Sequence, residues 1–283
     1  MGRTYAKEFR RFINMLRPRI ISCLLVHNGG LVKTTRFANP KYVGDPINAV
    51  RIFNEKETDE LMILDIDATV KGAPPNLKMI QLWASECRMP LCYGGGIKTV
   101  QQAKQIIGLG VEKVAISSAA IDHPQLVSDI AEAVGNQSVV AVLDITESQG
   151  RYEILTRNGT RRTGKCPIVV AQKLQQLGVG EIVLNSIDRD GTMTGYDLEI
   201  SSQIRNTVSV PMSILGGAGS LKDIEDLICR FGIIGAAAGS LFVFKGIYKA
   251  VLINYPAPLI KDRLIANAMH RIVRSEDRSV TGT

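Results

Sequence analysis

ELMILDID at residues 60–67 and EIVLNSID at residues 181–188 are two versions of one segment, and their relation decides the fold. Each opens on a glutamate, runs through apolar residues and closes on an Ile-Asp pair. The likeness continues downstream. YGGGI at 93–97 parallels LGGAG at 215–219, each followed by an amphipathic stretch, and AISSA at 115–119 parallels AAGSL at 237–241. The chain therefore carries an internal repeat of about 120 residues, and such a repeat is read before any local motif because it dictates how the units stack.

Outward from this repeat, eight short apolar runs follow one another at 19–26, 60–65, 90–93, 113–117, 139–144, 181–187, 211–215 and 235–238. Segments of helical spacing, such as 100–109 and 221–231, lie between them. Near-continuous apolar strands alternating with helices indicate a parallel sheet covered by helices. Eight such units close into a (βα)8 TIM barrel of the α/β class. A doubly wound open sheet is the alternative, and the half-barrel duplication argues against it. A barrel needs about 250 residues, so the 283-residue chain divides into an N-terminal extension at 1–16, a barrel at 17–262 and a basic, mobile tail at 263–283. A short basic amphipathic helix is expected at 5–13.

Composition narrows the function. Hydrophobic residues make up 45% and aromatic residues 5%, with 26 glycines. That suits a core of small aliphatic side chains with many tight turns, not a platform for stacking bases. The net charge of +7 reads as a solvated face or as an attraction for anionic substrates and acidic protein surfaces. No recognition motif or aromatic-interleaved basic stripe points to nucleic acid. The five cysteines are odd in number and form no CxxC pair, so neither a disulfide framework nor a metal site is indicated. A reduced, cytoplasmic setting is expected. No apolar stretch reaches the ~18 residues of a membrane span, and the first residues lack a signal-peptide core.

In such barrels the loops after the strands build the active face. Gly94, Gly95 and Gly96 follow the third strand, and Ser117 and Ser118 close the fourth. The second half repeats this with Gly216 and Gly217, then Gly239 and Ser240. Backbone N–H groups exposed by such turns cradle phosphates, and two matching cradles predict a ligand with two phosphate-like groups. Carboxylates end several strands: Asp65, Asp144, and Asp188 with Asp190 in the SIDRDGT loop. A carboxylate there is a candidate general acid or base. The repeat places Leu25 opposite Asp144, so one half has a leucine where the other has a carboxylate. Lys33 supplies a cation near the first strand, and His27 lies in the turn before it. At the opposite rim, Arg19, Glu60, Lys113 and Glu181 open strands one, two, four and six. They either face solvent or close a neutral ring around the axis.

From about residue 17 to 244 the chain resembles the cyclase subunit of imidazole glycerol phosphate synthase (the HisF family). The similarity rests on LVKT at 31–34, GDP at 44–46, DELMILDID at 59–67, GGGI at 94–97, SIDRDGT at 186–192, GYD at 195–197 and GGAG at 216–219. The resemblance implies phosphate binding at Gly96, Ser117 and Ser118 on one side, and at Asp190, Gly191, Gly217, Gly239 and Ser240 on the other. It implies that Asp144 is a catalytic aspartate, that Lys33 is the strand-one lysine, and that Arg19, Glu60, Lys113 and Glu181 gate ammonia entry from a glutaminase. No cofactor is implied; the expected partners are a glutaminase subunit in a heterodimer, a phosphorylated ligand and a third, amidotransferase protein. The chain departs from the family at Leu25, where the first catalytic aspartate belongs. That departure resembles paralogues that serve acetamidino-sugar formation in surface-polysaccharide biosynthesis. Histidine-pathway cyclisation and a non-catalytic channelling role are the alternatives.

Overall fold

A computed structural model describes residues 17–280, with side chains to residue 272. The helix expected at 5–13 lies outside the described residues. In chain order the strands are β1 (Arg19–His27), β2 (Gly30–Thr35), β3 (Ala38–Gly44), β4 (Glu60–Asp65), β5 (Leu91–Gly94), β6 (Lys113–Ile116), β7 (Val139–Ser148), β8 (Arg151–Thr156), β9 (Arg161–Arg162), β10 (Glu181–Ser186), β11 (Met212–Leu215) and β12 (Gly235–Ala238). The helices are α1 (Pro46–Glu55), α2 (Leu77–Glu86), α3 (Val100–Gly108), α4 (Ser118–Asp122), α5 (Gln125–Val134), α6 (Pro167–Gln176), α7 (Leu198–Arg205), α8 (Leu221–Phe231), α9 (Ser240–Val243) and α10 (Pro258–Val280).

Eight strands close into a parallel barrel in the order β1-β4-β5-β6-β7-β10-β11-β12, with β12 pairing back onto β1. Side chains alternate along each strand. One set, with Leu24, Leu61 and Ile182, packs outward against the helices. The other, with Ile21, Cys23, Met62, Cys92, Val140 and Val183, fills the axis. The strand starts form the foot of the barrel and the strand ends form its mouth. The barrel with internal duplication is therefore what the repeat predicts.

Two antiparallel additions extend the barrel sheet beyond the eight expected runs, and a short separate pair joins Phe244–Lys245 to Ala250–Val251. β1 folds back through β2 and β3, and β7 folds back through β8 and β9. Both begin with a two-residue turn whose central residues are left-handed: Asn28 (φ 50) and Gly29 (φ 79), then Gln149 (φ 51) and Gly150 (φ 73). Such turns match the twist of the flanking strands. The Asn28-Gly29 pair is the local signal that marks the first.

The tail differs from expectation. α10 runs straight through the boundary drawn after residue 262, because its inner face is apolar. Leu264, Ile265 and Ala268 are buried on the barrel, and Lys261 donates from the helix start to Asp59 at 2.6 Å and to the Glu57 carbonyl at 2.9 Å.

Candidate functional site

At the foot, the four strand-opening charges meet in a closed ring. Arg19 bonds Glu60 and, at 2.7 Å, Glu181, while Lys113 sits 2.9 Å from both carboxylates. Ser213 adds a hydrogen bond to Glu181 at 2.5 Å. Burial opposes the charge on Arg19, Lys113 and Glu181, yet the neighbours win. They raise Arg19 and Lys113 and hold Glu181 well below the usual carboxylate range. Each carboxylate lies between two cations, so the ring is neutral and internally paired, which is what lets buried charges persist. Above it the axis is apolar.

At the mouth, one cavity of about 1150 Å³, its open entrance included, gathers the expected residues: Gly96, Ser117, Ser118, Asp144, Asp190, Gly191, Gly217, Gly239, Ser240, Lys33 and Leu25 all line it. The two glycine turns have the same cause. A side chain at Gly95 (φ 127) would meet the Asp65 carbonyl at 2.5 Å, and one at Gly216 (φ 95) would meet the Ser186 carbonyl at 2.6 Å. Each turn folds back onto the end of the preceding strand. The first turns of α4 and α9 also face the cavity, and N–H groups in the first turn of a helix have no intrahelical partner. Ser117 and Gly239 occupy the position before these helices with nearly the same backbone, φ −113, ψ −86 and φ −110, ψ −72.

Several side chains are committed in ways the sequence did not indicate. Ser117 Oγ donates to Asp144 Oδ2 at 2.9 Å, so its hydroxyl hydrogen is already committed. Ser118 Oγ accepts from Arg157 N at 2.9 Å. The Asp190 carboxylate accepts from Thr34 Oγ1 at 2.6 Å and from Phe37 N, tying the β2–β3 turn to the mouth. Burial raises its pKa, against those hydrogen bonds and Lys33. Asp188 grips Thr146 and the Glu147 N–H, and Asp67 grips His27 and the Asn28 N–H. Both serve as clamps on the hairpins. Asp65 accepts from the N–H groups of Asp67 and Ala68, shaping its own loop.

The chemistry concentrates on Asp144. Burial pushes its carboxyl up to about 6, with Asn185 and Ser117 holding it down from a higher value. Asn185 Nδ2 donates to Oδ1 at 2.8 Å. A carboxylate with a pKa near neutrality, oriented by two donors, can act as a general base or acid. Asn185 was not singled out from the sequence; its place within an apolar run was the available signal. Lys33 is buried, and its Nζ donates to the Cys23 carbonyl at 2.5 Å beside Gly239. Burial lowers its pKa, against Cys23 and Asp190.

Register makes the asymmetry exact in position. Leu25 pairs with Leu64 across β1 and β4, where the second half pairs Asp144 with Asn185 across β7 and β10.

The histidine biosynthesis protein family matches residues 19–249. Proteins named "Putative imidazole glycerol phosphate synthase subunit HisF" are similar to the chain. That of Leptospira borgpetersenii is 55% identical over 88% of this chain and 99% of its own length, and that of Leptospira interrogans is 56% identical over 86% and 96%. The imidazole glycerol phosphate synthase subunit HisF of Alkaliphilus metalliredigens is 40% identical over 82% of this chain and 92% of its own.

Proposed function

We propose a function from one premise: this chain belongs to the histidine biosynthesis protein family, as a HisF-like paralogue. It acts as the barrel subunit of a glutamine-dependent amidotransferase. A glutaminase subunit docks at the foot in a heterodimer, ammonia passes the ring of Arg19, Glu60, Lys113 and Glu181, and the apolar axis carries it to the mouth. Gly96, Ser117 and Ser118 hold one phosphate of the ligand there. Gly191, Gly217, Gly239 and Ser240 hold the other, with Lys33 adding positive charge and Asp190 fixing the loop. The product is an acetamidino sugar for surface polysaccharide, formed with a third, amidotransferase protein.

The observation that carries this reading is the pairing of a closed charged ring at the foot with a mouth where Asp144 stands at a strand end and Leu25 at the matching place in the other half. Leu25 cannot exchange a proton, and losing one member of an acid–base pair costs about 10²–10⁴-fold. Histidine-pathway cyclisation is thereby weakened, whereas delivery of ammonia is not. The test is co-purification with the cognate glutaminase and measurement of glutamine hydrolysis. Binding with stimulated hydrolysis is expected; a glutaminase neither bound nor stimulated defeats the reading.

Asp144 itself favours a second reading, the cyclase-like lyase reaction of imidazole glycerol phosphate synthase, because its pKa of about 6 suits proton transfer. Rescue of a histidine auxotroph by the wild-type chain would support it. A Leu25→Asp variant that cyclises at least tenfold faster would show instead that the native mouth is not built for that step.

A further inference from the structure

Hydrogen bonding at the mouth leaves one polar atom over. Asn185 is only 5% exposed. An ionised carboxylate can only accept, so the bond to Asp144 takes the amide nitrogen. The amide oxygen Oδ1 is buried without a protein partner among the described residues. A buried acceptor left without a donor is costly and uncommon in a native fold. Nothing in the barrel architecture requires it, since the equivalent place in the first half is filled by Leu64.

Position selects the donor. Along the inward face of β10, Glu181 belongs to the ring, Val183 to the apolar axis and Asn185 to the cavity. Val142 and Asp144 occupy the same successive levels on the neighbouring β7. A molecule rising along the axis therefore leaves apolar surface at Val142 and Val183 and next meets Asp144 and Asn185. It must be small enough for a packed axis and must carry hydrogen-bond donors for two neighbouring acceptors.

We propose that Asn185 Oδ1, together with the Asp144 carboxylate, is the receiving site for ammonia at the top of the barrel axis. Ammonia has three N–H donors and one lone pair. Two acceptors on one wall hold two of those donors and leave the lone pair free for an acceptor molecule in the mouth. The facing wall of Leu25 and Leu64 has no hydrogen-bonding group in its side chains, so the nitrogen is held on the Asp144 side. No bond is made or broken in this capture.

The inference rests on the reading that ammonia travels this axis, but its test does not. The full chain, labelled with nitrogen-15, is titrated with ammonium chloride at about pH 8, where Asp144 is ionised given its pKa of about 6. Potassium chloride and tetramethylammonium chloride at equal ionic strength serve as controls. The side-chain amide resonances of Asn185 are assigned by their loss in Asn185→Leu, with asparagine-selective labelling as the route if that variant does not fold. A saturable shift of those resonances with ammonium alone is expected, and Asn185→Leu should abolish the accompanying shifts of its neighbours. A non-saturable response, or an equal response to potassium, overturns the proposal. If the ammonium shift appears while the glutaminase is neither bound nor stimulated, the functional reading fails and this site stands; the reverse result removes this site alone.

Discussion

The two halves of the barrel share their scaffolding and differ in their chemistry. Both turn from the first strand through a two-residue left-handed turn, and both hold the hairpin with a carboxylate, Asp67 at the turn residue Asn28 and Asp188 at Thr146 and Glu147 on the strand leading into the turn. Both start the helix after their glycine loop with a capping box, Thr99 with Gln102 and Ser220 with Asp223. Both give the ring one glutamate, Glu60 or Glu181, while the two cations come from the first half alone. At the mouth the likeness stops, with Leu25 and Leu64 facing Asp144 and Asn185. Devices that shape backbone were kept in duplicate, whereas the hydrogen-bonded carboxylate–amide pair at the strand ends is present in one half and replaced by two leucines in the other. A duplicated fold tolerates this because strand closure depends on outward packing and backbone pairing, not on which side chains end the strands.

The largest expected effect tests whether that one side works. Asp144→Asn should lower product formation about 10²–10⁴-fold while leaving stimulation of the glutaminase intact, because the ring lies at the other end of the axis. An unchanged rate would make the chain a channelling module and erase the functional difference between the halves.

The ring tests a feature drawn from both halves. Glu60→Gln and Glu181→Gln each leave the partly buried Arg19 and Lys113 short of a partner, and each should lower stability by about 3 kcal/mol in urea denaturation. Because Glu181 titrates below its usual range, its contribution is present above the unfolded-chain pKa and is lost as pH falls through the lower folded value. Wild type should therefore lose more stability in acid than Glu181→Gln does. Very different costs would show that the two glutamates, matched in position, carry unequal shares of the ring.

A smaller effect sharpens the contrast at the mouth. The Asp144 carboxyl is raised from 3.8 to about 6 by burial, so its stabilising contribution is complete below the unfolded value and is lost as pH rises through the folded one. Asp144→Asn keeps hydrogen-bonding groups for Ser117 and Asn185, and it should be more stable than wild type by about 1–3 kcal/mol at pH 8. That gain should fade toward pH 4 in parallel denaturation curves. The smallest prediction concerns sameness: Thr99→Ala and Ser220→Ala should each cost about 1 kcal/mol of unfolding free energy. Unequal losses would show that the two capping boxes carry different loads.

Much of this was legible in the sequence because it is periodic or duplicated. The eight apolar runs gave the strands, and the paired glycine loops and the Leu25–Asp144 mismatch were visible once the repeat was aligned. The β2–β3 and β8–β9 additions have no comparable signal, because they follow the apolar runs as mixed or polar segments such as ANPKYVG at 38–44 and the Arg161-Arg162 pair. The tail boundary was misplaced because the polar composition after residue 262 hid the buried stripe of Leu264, Ile265 and Ala268. Asn185 was hidden in plain view, an amide read as part of an apolar strand.

By itself the sequence determined the architecture and the list of groups at each rim, since strand alternation and chain order assign every inward side chain to the foot, the axis or the mouth. Only the tertiary structure decided the pairings. It chose a closed ring over four solvated charges, committed Ser117 to Asp144, and left one face of Asn185 over. Hydrogen bonds and buried pKa values depend on distances of a few tenths of an ångström between residues far apart in the chain, and those distances exist only once the barrel has closed.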